Sequence, residues 1–292
     1  MKNNRSIVES IQKRYSCRAY KRQPIEDDTL QKLRDFIASL QPAPFGSKAR
    51  FDLVAATADD QKALHGLGTY GFIKNAPAYI IGAMVPSAHD LEDFGYLFER
   101  IILYATSLGL GTCWLGGTFT KSRFAEKIGL KENEQMPAVV AIGEIADPNR
   151  KRKGLVSQVA TAHKRLPWQE LFHNYTMGVP LLPNEAGKYA VPLEMVRLSP
   201  SASNKQPWRI VSFNNAWRFY LQRTPGYRDD LIKRILQLCD LQRVDLGIAM
   251  CHFEWTAKEL DLPGMWQVEE FLEQKTHPLG EYLVSWQMGT KA

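Results

Sequence analysis

The sequence predicts a chain of mixed helices and strands in which one structural pattern occurs twice. Some segments carry apolar residues at helical spacing, and others are short continuous apolar runs of the kind found in strands. After Gly154, several short segments resemble segments of the first half in the same order, which is typical of an internal repeat. We therefore expect two similar halves, residues 1–165 and a shorter second half over residues 166–292.

The first half contains four predicted helices and three predicted strands. Ser6 and Glu9 form a capping box that opens a short helix, and Pro42 and Pro44 end the next helix. The other elements follow from apolar runs and helical periodicity. They are a helix over 30–40, strands over 50–56, 78–85 and 138–145, a long apolar helix over 90–108, a glycine-punctuated segment over 109–117 and a short helix over 121–128.

The predicted repeat is based on five pairs of similar segments. The alternative explanation is that short apolar segments match by chance. In the second half we expect a strand over 208–213 and a long helix over 229–249. The pairs are 171–175 with 11–15, 199–211 with 43–54, 246–251 with 108–113, 258–262 with 126–130, and 282–288 with the strand from 138.

Composition and charge narrow the classes of function. At 292 residues with 45% hydrophobic content, the chain is long enough to bury a large core. The formal charge of +6, with one dense run at 150–153, suits an anionic small ligand, and no nucleic-acid-binding module is recognisable. No apolar run approaches the length of a membrane span, and the polar start lacks a signal-peptide core. We therefore expect a cytoplasmic protein that acts on a small molecule, without nucleic acid or membrane.

The cysteines and histidines predict neither a disulfide framework nor a metal site. The four cysteines have no CxxC spacing and lie in apolar or helical contexts, as expected for buried free thiols in a reducing compartment. The six histidines are scattered without the spacing of metal ligands.

One loop of neutral polar residues precedes the predicted strand at 208–213. Residues 198–208 read LSPSASNKQPW. Loops held at strand ends often bind ligands, although Ser, Asn and Pro also form turns that bind nothing. The order Pro-Ser-Ala-Ser-Asn-x-Gln-Pro-Trp resembles the loop by which FMN-dependent nitroreductases contact the flavin of a neighbouring subunit.

Three further motifs resemble the same family. Arg14-x-Ser16-x-Arg18 resembles its phosphate-binding segment, and Arg150 with Arg152 resembles the basic pair after its last strand. The run Trp114-Leu115-Gly116-Gly117 resembles the segment that faces the flavin ring.

The two halves retain complementary motifs. In the family the polar loop lies near the N-terminus, whereas here it lies two-thirds of the way along the chain. The first half has Pro44-Phe45-Gly46-Ser47-Lys48 in its place. The second half has Asn174, Thr176 and Gly178 where we match Arg14, Ser16 and Arg18, and 252–255 where we match Trp114 to Gly117. The chain is therefore most similar to nitroreductase-like proteins in which both halves of the dimer lie in one chain, with one complete site.

The resemblance implies an α+β fold, a mostly antiparallel sheet surrounded by helices, duplicated as an intramolecular pseudo-dimer in a monomeric chain. It implies FMN as cofactor and NAD(P)H as electron donor, with ping-pong transfer to an electron-poor acceptor such as a nitroaromatic or a quinone. The flavin carries the reaction, so no protein general base is expected. A specialised flavin reaction, such as reductive dehalogenation or ring dehydrogenation, and a non-catalytic flavin-binding or flavin-less scaffold remain open alternatives.

The resemblance also implies a role for each site residue. A cation at the pyrimidine edge, here Arg18, would stabilise the negative charge of the reduced ring, and glycine would let backbone N–H groups approach the ring closely. Thr69 and Tyr70 stand where the family often has a ring-contacting asparagine. The expected cofactor-binding residues are Arg14, Ser16, Arg150 and Arg152 at the phosphate; Arg18, Trp114, Leu115, Gly116 and Gly117 at the ring; and Pro200, Ser201, Ala202, Ser203 and Asn204 at the ring and ribityl chain.

Overall fold

Two long helices pack against each other between two sheets. The computed structural model describes residues 6–57, 60, 62–147, 164–227, 239–269 and 280–289. The long helices are α3 (Asp90–Ser107) and a later helix over Leu241–Glu259. Each packs on the sheet of its own half, and side chains from both halves form one hydrophobic core around them.

The first half begins with two helices that the sequence predicts correctly. Helix α1 (Ile7–Lys13) starts where the Ser6 hydroxyl accepts a hydrogen bond from the Glu9 N–H at 3.2 Å, as a capping box requires. Helix α2 (Asp27–Ala38) follows.

The first sheet has four antiparallel strands in the order β1-β2-β4-β3. They are β1 (Ala49–Ala55), β2 (Ala78–Met84), β3 (Gly111–Leu115) and β4 (Val139–Gly143), with helix α4 (Lys121–Lys127) between β3 and β4. Every residue of β2 and β4 is buried, because α3 covers one face and a second apolar cluster covers the other. The sequence did not indicate β3, since its glycines obscure the apolar run.

The second sheet has five strands in the order β5-β6-β7-β9-β8. Helix α5 (Trp168–Leu171) leads into β5 (Phe172–Asn174), which pairs in parallel with β6. Helix α6 (Ala190–Arg197) precedes the polar loop. The remaining elements are β6 (Trp208–Phe213), β7 (Ala216–Leu221), helix α7 (Leu241–Glu259), β8 (Gly264–Gln267) and β9 (Glu281–Met288), with antiparallel pairing among the four strands.

Without β5, the two sheets have the same strand order and the same antiparallel pairing. Strands β1, β2, β3 and β4 correspond to β6, β7, β8 and β9, and the long helix follows the second strand in each half. Two of the proposed sequence pairs agree with this correspondence: residues 199–211 with 43–54, which lead into β6 and β1, and 282–288 with the strand from 138.

The other three sequence pairs are wrong. Residues 246–251 lie inside α7, whereas 108–113 leave α3 and enter β3. The helix predicted over 229–249 ends too early, because α7 continues to Glu259. Gly247 does not end the helix but packs against α3. Residues 258–262 end α7 and residues 126–130 end α4, but α7 corresponds to α3 and not to α4. Residues 171–175 enter a strand, whereas residues 11–15 end α1. Residues 228–238 lie outside the described part of the chain.

The long helices cross at two glycines that contact the partner helix reciprocally. A Cβ atom on Gly95 of α3 would lie 2.2 Å from the carbonyl oxygen of Val244, and one on Gly247 of α7 would lie 1.9 Å from that of Glu92. Backbone is therefore in contact with backbone at this crossing, and any side chain would push the helices apart.

Cysteine burial agrees with the sequence analysis for three of the four thiols. All four cysteines are free; Cys17, Cys113 and Cys251 are buried, and Cys239 is half-buried. No helix in the described residues is long and apolar enough to span a bilayer.

We predict that Gly95→Ala and Gly247→Ala each lower the free energy of unfolding by about 1–3 kcal/mol or more, because the added methyl overlaps a partner carbonyl. Denaturant unfolding measures this change. Gly117→Ala is the matched control, since no heavy atom lies within 4 Å of its added Cβ. Equal effects from all three substitutions would contradict the close crossing.

Candidate functional site

Within the segment from Arg14 to Tyr20, Ser16 and Cys17 lie beside the edge strand β3. Ser16 forms a parallel bridge with Thr112, and the Cys17 N–H donates to the Thr112 carbonyl at 2.8 Å. Side chains alternate along extended backbone, so the buried Cys17 faces the apolar cluster behind the sheet. Arg14, Ser16 and Arg18 are spaced to share the opposite side, as the sequence motif requires.

Arg14 is buried between α1 and the long helices. Its side chain is 4% exposed, and its Nε lies 3.9 Å from Oε1 of the fully buried Glu99 on α3. Burial lowers the pKa of Arg14, while Glu99 acts in the opposite direction. The Nε atom has no hydrogen-bond partner in the described structure, so it is a buried donor without an acceptor.

Arg18 is half-buried beside an exposed aromatic loop. Its guanidinium lies 5.0 Å from the ring centroid of Phe72, a cation–π contact. Its Nε is also buried and without a hydrogen-bond partner among the described residues. Two arginines of the motif therefore present unsatisfied donors, an arrangement suited to an anionic or acceptor-rich ligand.

The run Trp114 to Gly117 forms the end of β3 and the turn after it. The Trp114 indole N–H donates to Glu99 Oε2 at 2.8 Å. A Cβ on Gly116 would lie 2.5 Å from a methyl of Leu241, at the start of α7, whereas a Cβ on Gly117 would meet open space. Gly116 therefore packs between the halves, and the backbone at Gly117 is accessible.

The polar loop has a strained backbone. Ser203, Asn204 and Gln206 have φ angles of 51°, 56° and 50°, a left-handed conformation that non-glycine residues seldom adopt. Such strain persists only where surrounding contacts impose it, and it is frequent at ligand sites.

Hydrogen bonds tie this loop to the preceding segment and to α7. The Gln206 N–H donates to Ser201 Oγ at 2.9 Å, and Asn204 Nδ2 donates to the Lys164 carbonyl at 2.9 Å. The Ala202 N–H donates at 2.9 Å to Oδ1 of Asp245, which is buried in α7. Part of the bonding capacity of Ser201 and Asn204 is therefore used within the protein.

Arg165 is a site residue that the sequence analysis missed. It donates to Asn204 Oδ1 at 2.6 Å and to the Leu198 carbonyl at 2.9 Å. Burial, followed by the positive charges of Arg14 and Arg197, lowers the pKa of Arg165 to about 10. Arg165 therefore lies between the arginine motif and the polar loop. In the sequence, the only feature that points to Arg165 is its position just before the second half.

A corresponding contact occurs in the first half. The carboxylate of Asp93 on α3 accepts hydrogen bonds from the Phe45 N–H at 3.1 Å and the Ser47 N–H at 2.9 Å. Each long helix thus uses one buried aspartate to hold the loop before the first strand of its half.

Several expectations lie outside this cluster. Arg150 and Arg152 fall in residues 148–163, outside the described part of the chain. Thr69 is buried, and its hydroxyl accepts from the Ile73 N–H, whereas Tyr70 is 75% exposed. Groups of three or more side chains arranged for a metal ion are absent from the described residues.

A separate cleft of about 590 Å³ lies between α1 and α6. None of the sequence-predicted site residues lines it. Its lining residues are Val8, Gln12, Trp168, Pro183, Ala190, Val191, Glu194, Met195 and Arg197.

Comparisons with known proteins place the chain among nitroreductase-like folds. The family model described as "Putative TM nitroreductase" matches residues 6–257. A solved structure from Thermotoga maritima, described as a "putative nitroreductase", aligns with a TM-score of 0.62 at 19% identity, over 97% of this chain and 94% of that one. This likeness shows a shared fold over nearly the whole chain.

Two further structures align with about half of this chain. A nitroreductase from Bacteroides fragilis with bound FMN has a TM-score of 0.41 and 21% identity, over 61% of this chain and 100% of its own. A nitroreductase family protein from Clostridium difficile has a TM-score of 0.39 and 20% identity, over 55% and 98%. No curated protein matches this sequence.

We predict that Asp245→Asn raises the melting temperature at pH 8. Burial raises the pKa of Asp245 well above its usual range, and its Oδ2 has no hydrogen-bond partner among the described residues. An acid whose pKa is raised on folding contributes its full stabilisation of the folded state below its unfolded pKa. That contribution is lost as the pH rises through the folded pKa. Asparagine keeps the acceptor for Ala202 without a charge. Thermal unfolding from pH 5 to 9 measures the change, and a lower melting temperature for Asp245→Asn at pH 8 would contradict it.

Proposed function

The chain belongs to the nitroreductase family whose model spans residues 6–257, and we propose that it is an FMN-dependent oxidoreductase. The observation that carries this proposal is the pair Arg14 and Arg18, two residues of one extended segment whose buried Nε atoms lack hydrogen-bond partners in the described structure. Burying such donors unsatisfied is unfavourable, so a ligand rich in acceptors would complete them.

We propose further that the two halves act as a pseudo-dimer with one composite site. The shared strand order of the two sheets supports a duplication. Arg165 supports a site built from both halves, because it contacts Asn204 and lies within the electrostatic influence of Arg14. The first half would supply the arginine motif, and the second half the polar loop.

The residues present fit the phosphate end of FMN. Arg14 and Arg165 are both largely buried cations, and like charges held close together are stabilised by an anion. Guanidinium groups bind phosphate through paired N–H donors, and the hydroxyl of Ser16 would add another donor. Arg150 and Arg152 would complete the phosphate site.

The residues near β3 fit the ring end. When bound, FMN supplies two-electron hydride chemistry at its ring. Arg18 would place its positive charge at the ring edge that becomes anionic on reduction. The open backbone at Gly117 would allow close approach of N–H groups, and Trp114, held by Glu99, would fix the end of β3. Pro200 would pack against the ring.

We propose NAD(P)H as the electron donor and an electron-poor nitroaromatic or quinone as the acceptor. The donor and the acceptor would bind in turn at the same face of the flavin. Exposed Tyr70 and Phe72 beside Arg18 would offer a surface to such flat molecules. The proposed setting is the cytoplasm, with the single chain as the functional unit.

We predict one FMN per chain, because each half supplies only part of the site. The purified protein, reconstituted with excess FMN and desalted, would release its flavin in acid for quantitation against protein concentration. A ratio near two would indicate two complete sites, and no flavin at all would contradict the proposed function.

Arg14→Ala and Arg18→Ala should affect different properties of the bound flavin. A charge-assisted hydrogen bond is worth about 1.5–3 kcal/mol, so Arg14→Ala should weaken FMN binding roughly tenfold or more. Arg18→Ala should lower the reduction potential of the flavin, because it removes a cation near the reduced ring. Fluorescence titration and spectroelectrochemistry on both variants test the division. Exchange of the two effects would mean that the roles are reversed.

A further inference from the structure

A buried group of charges connects the candidate site with the second half. Oε1 of Glu99 lies 3.0 Å from Nε2 of His252 on α7 and 3.9 Å from Nε of Arg14, while Oε2 accepts from the Trp114 indole. Glu99 and His252 are both 0% exposed. One carboxyl group therefore contacts two residues proposed to hold the flavin, Arg14 and Trp114, and is itself held by the second half.

The hydrogen-bonding roles of the two His252 ring nitrogens follow from their neighbours. Its Nδ1 faces the Met195 carbonyl at 2.9 Å and must donate there. In the ion-paired arrangement Nε2 donates to the Glu99 carboxylate. In this arrangement Arg14, Glu99 and His252 together carry one positive charge, so the group attracts an anion.

The 3.9 Å separation between Arg14 and Glu99 is an ion pair without a hydrogen bond. Glu99 therefore offsets the charge of Arg14 while leaving the guanidinium N–H donors for another acceptor. A ligand phosphate would compete with Glu99 for the same positive charge.

We propose that Glu99 is a positioning residue of the site and the counter-ion of Arg14 in the flavin-free protein. Its negative charge stabilises the flavin-free fold and weakens the binding of a ligand phosphate to Arg14. This inference rests on the proposed function in that the phosphate is taken to be that of FMN.

The counter-ion role predicts effects of opposite sign for Glu99→Gln. Glutamine keeps the shape and an acceptor for the Trp114 indole but removes the negative charge. Without flavin, Arg14 is then a buried cation lacking its counter-ion, and the melting temperature falls. With FMN, the phosphate supplies the missing charge, so the dissociation constant should decrease by about tenfold. A residue that only stabilises the fold would lower both stability and affinity.

Glu92→Gln is the matched control. Glu92 is also a fully buried acid on α3, and it pairs with Arg243 on α7 at 2.7 Å. The Glu92→Gln variant should lose stability without tighter FMN binding. Melting temperatures of the flavin-free proteins and FMN titrations by fluorescence quenching give both values for wild type and variants.

Unchanged or weaker FMN binding by the Glu99→Gln variant would overturn the inference. An increase in FMN affinity of the same size in the Glu92→Gln variant would also overturn it. If Glu99→Gln yields no folded protein, Glu99→Asp decides, because its carboxylate is drawn back from Arg14 by one methylene. Tighter FMN binding by a smaller factor then supports the inference, and weaker binding overturns it.

Inorganic phosphate separates this inference from the proposed function. A wild-type protein that binds no FMN would refute the proposed function. Phosphate alone should still raise the melting temperature of Glu99→Gln more than that of wild type if Glu99 is the counter-ion. An equal or smaller rise would overturn the counter-ion role.

Discussion

The contact between α3 and α7 is the constraint on which the rest of the structure depends. Gly95 and Gly247 bring the two backbones together, each beneath a carbonyl of the other helix. Each helix packs on its own sheet and contributes to the common core. The separation of the helices therefore sets the separation of the sheets, and with it the distance between the arginine motif and the polar loop.

Several acids are buried within the two long helices. Glu92 pairs with Arg243 across the helices, Glu99 meets His252, and Asp93 and Asp245 each hold a loop by its backbone N–H groups. Buried charges are tolerated where they are paired or hydrogen-bonded. Asp93 and Asp245 fix the loop before the first strand of each half.

The two halves share a strand order but differ at their ends. In the first half, the extended segment through Ser16 runs beside β3. In the second half, β5 adds to the opposite edge of the sheet, in parallel with β6. The loop held by Asp93 carries Phe45 and Gly46, whereas the loop held by Asp245 carries serine and asparagine in a strained backbone. Two sheets with the same order of four strands thus present loops of different chemistry.

Local patterns in the sequence determined most elements of the first half, the strand at 208–213 and the family to which the chain belongs. Short-range physics suffices there: the Ser6 cap, the buried runs of β2 and β4, and the alternation of Arg14, Ser16 and Arg18 along one extended segment. The strand β3 and the C-terminal end of α7 were missed, because glycine in a sequence reads as an interruption, whereas Gly247 provides close helix packing.

Only the tertiary structure decided which residues meet. Arg165 reaches Asn204, Glu99 stands between Arg14 and His252, and Asp245 holds the polar loop. Each of these contacts joins residues far apart in the chain, and an acid or an arginine in a single sequence carries no sign of its partner. Their environment depends on the crossing of two helices, which is set by the packing of both halves together.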